Sequence, residues 1–571
     1  MALRHFEKTV LRWRSCSILS CYNLASSGSL LFSLSEKRAS LRTYSKISAR
    51  SYLEDSVEGS TLGGRHSGNF QVNDGHHPTI YAVSTAPGKA AVAIVRVSGT
   101  LAKYVFQRLS RKNEPVPRVA QLNRLYSVFS QKQPEFGKHL GERSENLGVL
   151  DHALTLYFEG PNSYTGEDVL ELHLHGGTAV VRAVLGQIKL LHSAETPIRY
   201  AEAGEFTKRA FHNGRLDLTE VEGIRDIIDA ETERQREVAV LTAGGQAKAI
   251  YDQWRERIVK NAALLTALID FADDNAEIES TSQVILEGAR SDIKALLQDI
   301  TAYFSEIQRS ELIRSGIKMN FLGPPNAGKS SLLNLIVQRD ASIVSDVPGT
   351  TRDILEVGMN VDGYKIVFGD TAGIRSLENQ VNDSMALIEA EGIRRARKRF
   401  QASDVILAVI SVESQGQESI SDIFKEISEV NKPTVLVVNK MDLAKDADRE
   451  SIVTFFSETC GLPKNNIVLV SCKSGEGIQD LNEKLSNICK DLTFTSDGSI
   501  PLGASQRVQD LLESDVIEGL KNFETSLGND DVVLALAELH TAVEGIGKIT
   551  GRGVAVDEIL GVVFGNFCIG K

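Results

Sequence analysis

The octapeptide Gly323-Pro-Pro-Asn-Ala-Gly-Lys-Ser330 constrains the fold more than any other stretch of the chain. It fits the pattern G-x-x-x-x-G-K-[ST], in which a glycine-rich loop turns its backbone N–H groups toward phosphate oxygens. An apolar run, Ile317 to Leu322, precedes it, and a segment with helical character, Ser331 to Ile336, follows it. This order of strand, loop and helix is the one that the motif requires, and the helix N-terminus adds partial positive charge. The sequence therefore predicts a nucleotide site in an α/β domain.

Several side chains in and after this loop have predicted roles toward the phosphates. Lys329 reaches the β- and γ-phosphates, and the Ser330 hydroxyl binds Mg²⁺. Pro348-Gly-Thr-Thr-Arg-Asp353 supplies a threonine that completes the Mg²⁺ shell and senses the γ-phosphate. Asp370-Thr-Ala-Gly373 follows the apolar strand Tyr364 to Phe368, so its aspartate can hold an Mg²⁺-bound water and its glycine N–H the γ-phosphate.

Two later segments predict which base is bound. Asn439-Lys-Met-Asp442 ends the strand Thr434 to Val438, and Ser471-Cys-Lys473 ends the strand Ile467 to Val470 and backs the base. The Asp442 carboxylate can accept hydrogen bonds from guanine N1–H and N2–H together, whereas adenine lacks that pair of donors. Motifs in this order, each at the end of a predicted strand, indicate GTP.

The segment after Asp370-Thr-Ala-Gly373 lacks the glutamine that orients the attacking water in Ras-like proteins, because Ile374 follows directly. Another device must therefore stabilise the transition state. A monovalent cation next to the β- and γ-phosphates can take the place of an arginine finger, with the Asn326 side chain as one oxygen ligand. The alternative is that Asn326 is an ordinary loop residue.

Length and charge limit what the chain can be. Its 571 residues are enough for three or four domains, and no run approaches the roughly 20 apolar residues of a membrane span. The net charge is −12, so any contact with nucleic acid must be local or shared with a partner. The six cysteines show neither metal-ligand nor disulfide spacing, which favours reduced thiols in a reducing compartment.

The first 50 residues have the composition of a transit peptide. They carry nine lysines and arginines against two acids, Glu7 and Glu36, with many serines and no long apolar core. We expect a transit peptide over residues 1–52, with a processing site near Arg42-Thr-Tyr-Ser45, and a polar, glycine-rich linker over 53–77. A mitochondrial destination is favoured; a chloroplast, or a disordered tail without an address, are the alternatives.

The remaining chain divides into four predicted regions. Residues 78–203 alternate strands and helical spacing, as in an α+β domain, and residues 204–315 have apolar positions at helical spacing. Residues 316–490 alternate strands and helices, which predicts a doubly wound parallel sheet of the P-loop GTPase type. Residues 491–571 are helical again. Helical regions on both sides predict one discontinuous bundle interrupted by the nucleotide-binding domain, with two separate bundles as the alternative.

Motifs outside the nucleotide site carry a family resemblance. They are Val95-Arg-Val-Ser-Gly99, Pro161-Asn-Ser-Tyr-Thr-Gly-Glu-Asp168, His175-Gly-Gly177, Gly204-Glu-Phe-Thr207, Asn213-Gly-Arg-Leu-Asp-Leu218 and the terminal Phe567-Cys-Ile-Gly-Lys571. With them the chain resembles the MnmE/TrmE family of tRNA-modification GTPases, and most of all its mitochondrial members, from about Thr79 to Lys571. The terminal motif is highly specific for this family, because folding does not require a particular sequence at a C-terminus, where residues are normally frayed.

The resemblance implies a function. The region 78–203 would bind a tetrahydrofolate one-carbon derivative (5-formyl or 5,10-methylene) and form a homodimer, while the helical domain would carry the terminal Cys568. The GTPase domain would hydrolyse GTP with Mg²⁺ and K⁺. Together with an FAD-dependent partner of the MnmG type, the protein would add an aminomethyl-type group, taurinomethyl or carboxymethylaminomethyl, to C5 of wobble uridine 34 in mitochondrial tRNAs in the matrix.

The resemblance also implies site residues. Folate-binding positions fall on Arg96, Glu171, Arg215 and Lys571, K⁺ positions on Asn326, Ser345, Val347 and Thr350, and Mg²⁺ positions on Ser330 and Thr351. The full predicted nucleotide site consists of Asn326, Ala327, Gly328, Lys329, Ser330, Ser331, Ser345, Asp346, Val347, Pro348, Gly349, Thr350, Thr351, Asp370, Thr371, Ala372, Gly373, Asn439, Lys440, Asp442, Ser471, Cys472 and Lys473.

The chemistry of these residue types is compatible with a folate. A pterin edge, like guanine, offers adjacent donors that the Glu171 carboxylate can accept, and Arg96 or Arg215 can meet the glutamyl carboxylates. A solvated strand residue is the alternative for Glu171. Lys89-Ala-Ala-Val-Ala93 has alanines where the family is glycine-rich, which puts a backbone contact there in doubt.

A second class of function is a ribosome-assembly GTPase of the Era/Der type, which shares the segment Gly349-Thr-Thr-Arg-Asp353. That class appends an RNA-binding domain or a second GTPase domain. The sequence shows neither a Gly-x-x-Gly RNA clamp in a fitting context nor a second phosphate loop. The terminal motif and the region 79–215 favour the first function.

The catalytic carboxylate of the second switch requires a choice of register. Counting forward from Gly373 reaches Asn382, and an amide cannot act as the base. Counting back from Gly392-Ile-Arg-Arg-Ala396 reaches Glu389 and requires about seven extra residues in the loop. Such an insertion costs little free energy, because the entropy of loop closure grows only logarithmically with loop length. Glu389 is therefore the predicted catalytic residue, with Asp383 the runner-up and a solvated glutamate at a helix entry the alternative.

We predict that Glu389→Ala greatly lowers steady-state GTP hydrolysis in K⁺, whereas Asp383→Ala leaves it nearly unchanged. The reason is that only the first change removes the group that polarises the attacking water. Measuring both variants under the same conditions makes each the control of the other. Wild-type hydrolysis by Glu389→Ala would show that the register is wrong.

Overall fold

The structure is a computed structural model that describes residues 77–128, 148–271, 279–324, 326–339, 357–369, 403–414, 432–444, 448–494, 501–552, 563–565 and 567–570. Several predicted features lie outside these residues: the transit peptide, the linker before His77, Ser345 to Thr351, Asp370 to Gly373, Asp383, Glu389 and Lys571. The chain forms two compact units, one of residues 72–265 with 272–571 and the other of residues 1–71 with 266–271. Of the second unit, only the end of one helix is described.

The first sheet and its helices are β1 (Thr79–Val83), β2 (Val92–Ser98), α1 (Ala102–Ser110), β3 (Gln121–Tyr126), β4 (Val149–Phe158), β5 (Val169–His175), α2 (Thr178–Lys189) and β6 (Ile198–Tyr200). The strand order is β3-β4-β5-β2-β1-β6, and only β1 and β6 pair in parallel. Leu170, Leu172 and Leu174 of β5 enter the core beneath α1 and α2. The alternate residues Glu171 and His173 therefore lie on the other face of the sheet.

A run of helices follows: α3 (Glu205–His212), α4 (Leu218–Asp229), α5 (Glu233–Ala243), α6 (Gln246–Phe271) and α7 (Glu279–Ser315). Capping boxes begin two of them. The Asp217 carboxylate accepts from Glu220 N at the start of α4, and Thr232 caps α5 in the same way with Gln235. These caps satisfy N–H groups that the first turn of a helix cannot satisfy itself.

The second sheet and its helices are β7 (Ile317–Leu322), α8 (Lys329–Arg339), β8 (Val357–Val361), β9 (Tyr364–Phe368), β10 (Val405–Ser411), β11 (Thr434–Asn439), α9 (Arg449–Cys460), β12 (Ile467–Leu469) and α10 (Ile478–Thr493). The order is β12-β11-β10-β7-β9-β8; all neighbouring pairs are parallel except the edge strand β8. Every residue of β10 and β11 is buried, as expected for inner strands of a parallel sheet covered on both faces.

The last helices are α11 (Gln506–Leu511), which continues through a π-helical turn (Leu512–Ile517) into α12 (Glu518–Gly528), and α13 (Val532–Thr550). Their apolar residues share one core with α6 and α7, which precede the second sheet in the chain. The core includes Ile258, Leu265, Ile293, Leu296, Leu512, Leu520, Leu539 and Ile546. Among the helices of the described ranges, none combines the length and the apolar character needed to cross a bilayer.

The structure differs from the sequence-based expectations in local detail. Helix α1 and strand β3 were not predicted, because their short segments carry polar residues between the apolar ones. The second sheet is not wholly parallel, because β8 returns to β9 through the tight turn Asp362-Gly363, which permits only an antiparallel pair.

The hairpin of β8 and β9 contacts helix α5. Arg234 N donates to Gly363 O at 3.2 Å, and the Arg234 guanidinium lies 5.6 Å from the Tyr364 ring centroid and 5.7 Å from that of Phe494. Lys365 Nζ is 2.6 Å from a carboxylate oxygen of Glu231, just before α5. The hairpin is therefore fixed to the helices by a cation–π contact and an ion pair.

We predict that Arg234→Ala lowers the free energy of unfolding by about 1–2 kcal/mol, because two cation–π contacts and packing of the half-buried side chain are lost. Arg236→Ala is a matched control on the same helix. Each arginine pairs with a glutamate three residues away, but Arg236 is half exposed. We expect Arg236→Ala to change stability by less than about 0.5 kcal/mol. Equal denaturant midpoints for the two variants would contradict this role of Arg234.

Candidate functional site

The phosphate loop has the backbone that its glycines predict. Gly323 and Gly328 adopt φ values of +145° and +94°, which residues with a side chain rarely reach. A Cβ atom on Gly323 would overlap the Val409 carbonyl oxygen of β10, and one on Gly328 would overlap the Asn439 side-chain amide. The loop thus turns directly against two neighbouring strands. Only glycine fits at either position.

Other residues of the loop complete its shape. Asn326 has a φ of 60°, a left-handed conformation that asparagine tolerates better than most residues. Lys329 Nζ donates to Gly323 O at 2.9 Å and to Pro324 O at 2.7 Å, so its ammonium group lies along the loop. Ser330 and Ser331 follow in the first turn of α8, beside its N-terminal N–H groups. This is the geometry that the sequence predicted for a phosphate site.

One buried side chain joins the predicted segments. Asn439 is 2% exposed, and its Nδ2 donates to Ala327 O of the phosphate loop at 2.9 Å. Its Oδ1 accepts from Lys440 N at 2.7 Å and from Cys472 N at 3.2 Å. A single amide therefore ties the phosphate loop to both segments that were predicted to hold the base.

The base-binding segments hold the Asp442 carboxylate in place. Ser471 Oγ donates to Asp442 Oδ1 at 2.7 Å, and Met441 N donates to Val470 O at 3.2 Å. Burial raises the pKa of the Cys472 thiol, and the nearby Asp442 raises it further against a hydrogen bond with Asn439. Both effects favour the neutral thiol.

One residue at this edge of the sheet was not predicted from the sequence. Glu413 follows the end of β10, and its Oε2 lies 3.2 Å from Lys440 Nζ. Its position after a parallel strand, at the edge where ligands bind in such sheets, was an available signal. Lys473 is exposed. The structure brings together Asn326 to Ser331, Asn439 to Asp442 and Ser471 to Lys473, while Ser345 to Thr351, Asp370 to Gly373 and Glu389 lie outside the described residues.

A second group of predicted residues meets on the first sheet. Arg96 of β2 stands opposite Glu171 of β5, and its Nε and Nη2 donate to Glu171 Oε1 at 3.1 and 3.0 Å. The guanidinium lies 5.3 Å from the Tyr164 ring centroid and 5.8 Å from that of Phe206. His173, which the sequence analysis did not select, places Nε2 3.4 Å from Glu171 Oε2. It follows Glu171 by two residues on the same face of the strand.

Arg215 lies next to the loop from Gly160 to Asp168, which carries Tyr164 of this group. Gly166 has a φ of +80°, and a Cβ there would lie 2.8 Å from Asn213 Cβ and 3.4 Å from Arg215 Cγ. Asn213 Nδ2 donates to Thr165 O at 2.7 Å. The segment that carries Arg215 therefore packs directly on the loop that carries Tyr164.

A buried ion network that the sequence analysis did not identify supports the same loop. Arg209, only 8% exposed, donates to both carboxylate oxygens of Glu167 and to Glu205 Oε1. Glu167 in turn accepts from Ser98 Oγ at 2.7 Å. Burial opposes ionisation of Glu205, but hydrogen bonds from Arg199, Glu202 N and Arg209 outweigh it and lower the pKa of this carboxyl. The network is charged and holds α3 against the loop.

The end of the chain is fixed to the same region. Ile569 forms an antiparallel bridge with Ala203, Ser84 Oγ donates to Gly570 O at 2.8 Å, and Gly204 N donates to Cys568 O at 3.5 Å. Phe564 and Phe567 enter a small core with residues of α4. Gly204 directly precedes α3, and Phe206 of that helix lies beside Arg96. Cys568, which contacts Gly204, therefore lies on the same side of the first sheet as the group around Arg96.

The described cysteines differ in exposure. Cys460 and Cys489 are buried, and burial raises the pKa of each thiol to about 12. Cys568 is exposed. In the part of the chain that the structure covers, no cysteines form a disulfide, and no cluster of His, Cys, Asp and Glu has the arrangement of a metal site.

Known proteins are similar to this chain over most of its length. A family profile described as the MnmE helical domain matches residues 218–568, and one described as the GTP-binding protein TrmE N-terminus matches 79–215. The mitochondrial tRNA modification GTPase MSS1 of Saccharomyces cerevisiae is 42% identical, over 89% of this chain and 96% of its own. The mitochondrial 5-taurinomethyluridine-[tRNA] synthase subunit GTPB3 of Danio rerio is 37% identical, over 86% of this chain and 93% of its own. The tRNA modification GTPase MnmE of Rickettsia bellii is also 37% identical, over 86% of this chain and 100% of its own.

We predict that Asp442→Asn weakens GTP binding and favours xanthosine triphosphate. An amide cannot accept two guanine hydrogen bonds, and bonds to a charged group contribute on the order of 2–3 kcal/mol, or roughly 30- to 150-fold in Kd. Titration with both nucleotides measures the change. Glu458→Gln is the control, since this exposed side chain lies on α9 outside the base segments and should leave base preference unchanged. An unchanged GTP affinity in Asp442→Asn would rule out this role.

Proposed function

The chain belongs to the MnmE/TrmE family of tRNA-modification GTPases, and from this premise we propose that it hydrolyses GTP while modifying C5 of wobble uridine 34 in mitochondrial tRNAs. The mitochondrial names of several relatives and the basic, serine-rich first 50 residues together support mitochondrial location. The relative from Danio rerio is named for 5-taurinomethyluridine. An aminomethyl-type group, taurinomethyl or carboxymethylaminomethyl, is accordingly the proposed product.

The observation that carries this proposal is the placement of the chain terminus. Phe567 to Gly570 is held against the first sheet, at the end where Arg96, Glu171 and Phe206 meet. The same chain holds a base-selective nucleotide site in its second sheet. A ribosome-assembly GTPase needs the second feature but not the first. The combination therefore favours tRNA modification over the Era/Der-type alternative.

For GTP hydrolysis, the chain would use residues in distinct roles. Lys329 binds the phosphates, Asp442 binds the guanine edge, and Asn439 keeps the two in register. We assign Mg²⁺ to Ser330 and Thr351, because a hydroxyl at the N-terminus of α8 is a hard oxygen donor. We assign K⁺ to Asn326, Ser345, Val347 and Thr350. These ions supply positive charge next to the phosphates when bound, and Glu389 would orient the attacking water.

For the one-carbon donor, the residues present on the first sheet fit a folate. Arg96 binds only Oε1 of Glu171, and the other carboxylate oxygen lies 3.4 Å from His173 Nε2. Glu171 would accept from the pterin edge, and Arg215 and Lys571 would meet carboxylates. Bound there, a tetrahydrofolate supplies the one-carbon unit. Tyr164 and Phe206 keep the Arg96 guanidinium in place.

The same family implies an assembly. We propose a homodimer formed through residues 78–203 and a hetero-oligomer with an FAD-dependent partner of the MnmG type; the relative from Danio rerio is itself named a subunit. We also propose that residues 204–315 and 491–571 form one helical domain interrupted by the GTPase domain. The core shared by α6, α7 and α11 to α13 supports this arrangement.

The experiment that tests the function is mass spectrometry of mitochondrial tRNA after depletion of the protein. We expect the modified wobble uridine to disappear from its tRNAs and to return when the wild-type chain is restored. The purified protein should also retain or bind a folate. Unchanged tRNA with an altered mitochondrial ribosome profile would instead support the ribosome-assembly alternative.

We predict that Cys568→Ser abolishes tRNA modification and leaves GTP hydrolysis unchanged. The hypothesis is that the exposed thiol lies near the folate and takes part in, or positions, the modification chemistry; an inert thiol is the alternative. Ile569→Ala is a neighbouring control, because its side chain is exposed and its backbone bridge to Ala203 is kept. A fully active tRNA reaction by Cys568→Ser would decide for the inert thiol.

A further inference from the structure

We propose that the phosphate backbone of the tRNA binds a row of cations on the first domain, formed by Arg108, Arg111, Lys112 and Arg118. This inference rests on the proposed function, since it supplies the substrate contact that the function needs. The whole chain has a net charge of −12, so RNA cannot be attracted by its overall field. Contact with RNA must therefore be local or shared with a partner, and a local contact needs cations without acidic partners. We refer to these four residues as the basic row.

The backbone arranges the basic row along helix α1. Arg111 ends the helix with a left-handed φ of 57°, so the chain turns back there. Asn113 O then accepts from Gln107 Nε2 at 2.5 Å, and Glu114 lies 2.6 Å from Lys103 Nζ near the start of the helix. The segment after Arg111 thus runs back along the outside of α1. Its cations are spread along one edge of the domain.

The charges in the basic row are not neutralised by described neighbours. None of its four side chains forms an ion pair with a residue in the described ranges, whereas the one nearby carboxylate in this segment, Glu114, is taken up by Lys103. Arg108 Nε is buried and has no hydrogen-bond partner among the described atoms. By contrast, Arg209, Arg257 and Arg314 each bind carboxylates. The basic row therefore has the charge that an anion-binding surface needs.

Two contacts organise the ends of the row. The Arg111 guanidinium lies 4.1 Å from the Tyr126 ring centroid, and this cation–π contact limits the freedom of the side chain. At the other end, Arg118 Nη2 donates to Asn162 O at 2.8 Å and Arg118 N to Tyr157 O at 2.7 Å. Arginine N–H groups match phosphate oxygens in geometry as well as charge.

The contact between Arg118 and Asn162 also places the basic row relative to the proposed one-carbon site. Asn162 belongs to the loop from Gly160 to Asp168, which carries Tyr164 beside Arg96. An RNA backbone bound along the basic row would therefore end next to the proposed one-carbon site. Phosphate contacts position a nucleic acid without reading its sequence, which suits an enzyme that acts on several tRNAs.

The test compares the affinity of the full-length protein for an unmodified mitochondrial tRNA transcript across a series of salt concentrations. The variant Arg108→Gln/Arg111→Gln/Lys112→Gln removes three positive charges. The control Lys189→Gln/Lys294→Gln/Lys521→Gln removes the same charge at exposed lysines on α2, α7 and α12. We expect the first variant to lose about tenfold in affinity and its slope of log affinity against log salt to fall by about 2, because each phosphate contact contributes about 0.7–0.9 to that slope.

GTP hydrolysis and folate retention should be the same in all three proteins, which shows that each variant is folded. If the triple change alters GTP hydrolysis or folate retention, the single variant Lys112→Glu at an exposed position replaces it. We expect this variant also to lower the affinity for tRNA. Equal affinities and slopes for the basic-row and control variants would overturn the inference while leaving the proposed function intact. Absence of tRNA binding or modification by the wild-type protein would instead overturn the function. Loss of binding to the FAD-dependent partner, with tRNA affinity unchanged, would assign the row to a protein contact and refute it as an RNA site.

Discussion

The nucleotide site depends on one buried amide. Asn439 donates from Nδ2 to the Ala327 carbonyl and accepts at Oδ1 from two backbone N–H groups, so both of its polar atoms are satisfied. Aspartate could accept from the N–H groups but could not donate to Ala327, and it would bury a negative charge. Removing the amide would leave a buried carbonyl and the Cys472 N–H without partners, at a cost of about 1–3 kcal/mol for each unsatisfied group. The position of the phosphate loop relative to the base segment follows from this side chain.

Packing is continuous from this sheet to the chain terminus. The β8–β9 hairpin contacts α5 through Arg234, and Gly223 lets α4 approach the end of α5 so closely that a Cβ there would overlap the Ala243 backbone. Leu218 and Val221 of α4 then share a core with Phe564 and Phe567. The second sheet, with its nucleotide site, is thus connected to the segment of Cys568 by continuous packing. The β8–β9 hairpin packs on α5, α5 on α4, and α4 on Phe564 and Phe567.

The sequence predicted the nucleotide site better than the rest because its motifs are local. Lys329, Gly328 and the strand before them are constrained by phosphate geometry within a few residues, and β7 has the bounds expected of it, Ile317–Leu322. The structural role of Asn439 was not predictable, because it depends on a loop 112 residues away in sequence. The Arg209–Glu167 ion pair joins residues 42 apart and has no local signature. Arg96 and Glu171 were identified by resemblance, and their pairing required the strand register.

The terminal motif acquires a physical explanation from the way in which it is held. Three successive residues use their backbones for attachment: Cys568 O accepts from Gly204 N, Ile569 bridges Ala203, and Gly570 O accepts from Ser84. Gly570 has a φ of +101°, and a Cβ there would overlap the Val83 carbonyl, so this position requires glycine. Phe567 supplies the apolar anchor, with its ring buried beside Phe564. Because backbone atoms and Phe567 provide the attachment, the Cys568 side chain is not needed for packing and is exposed.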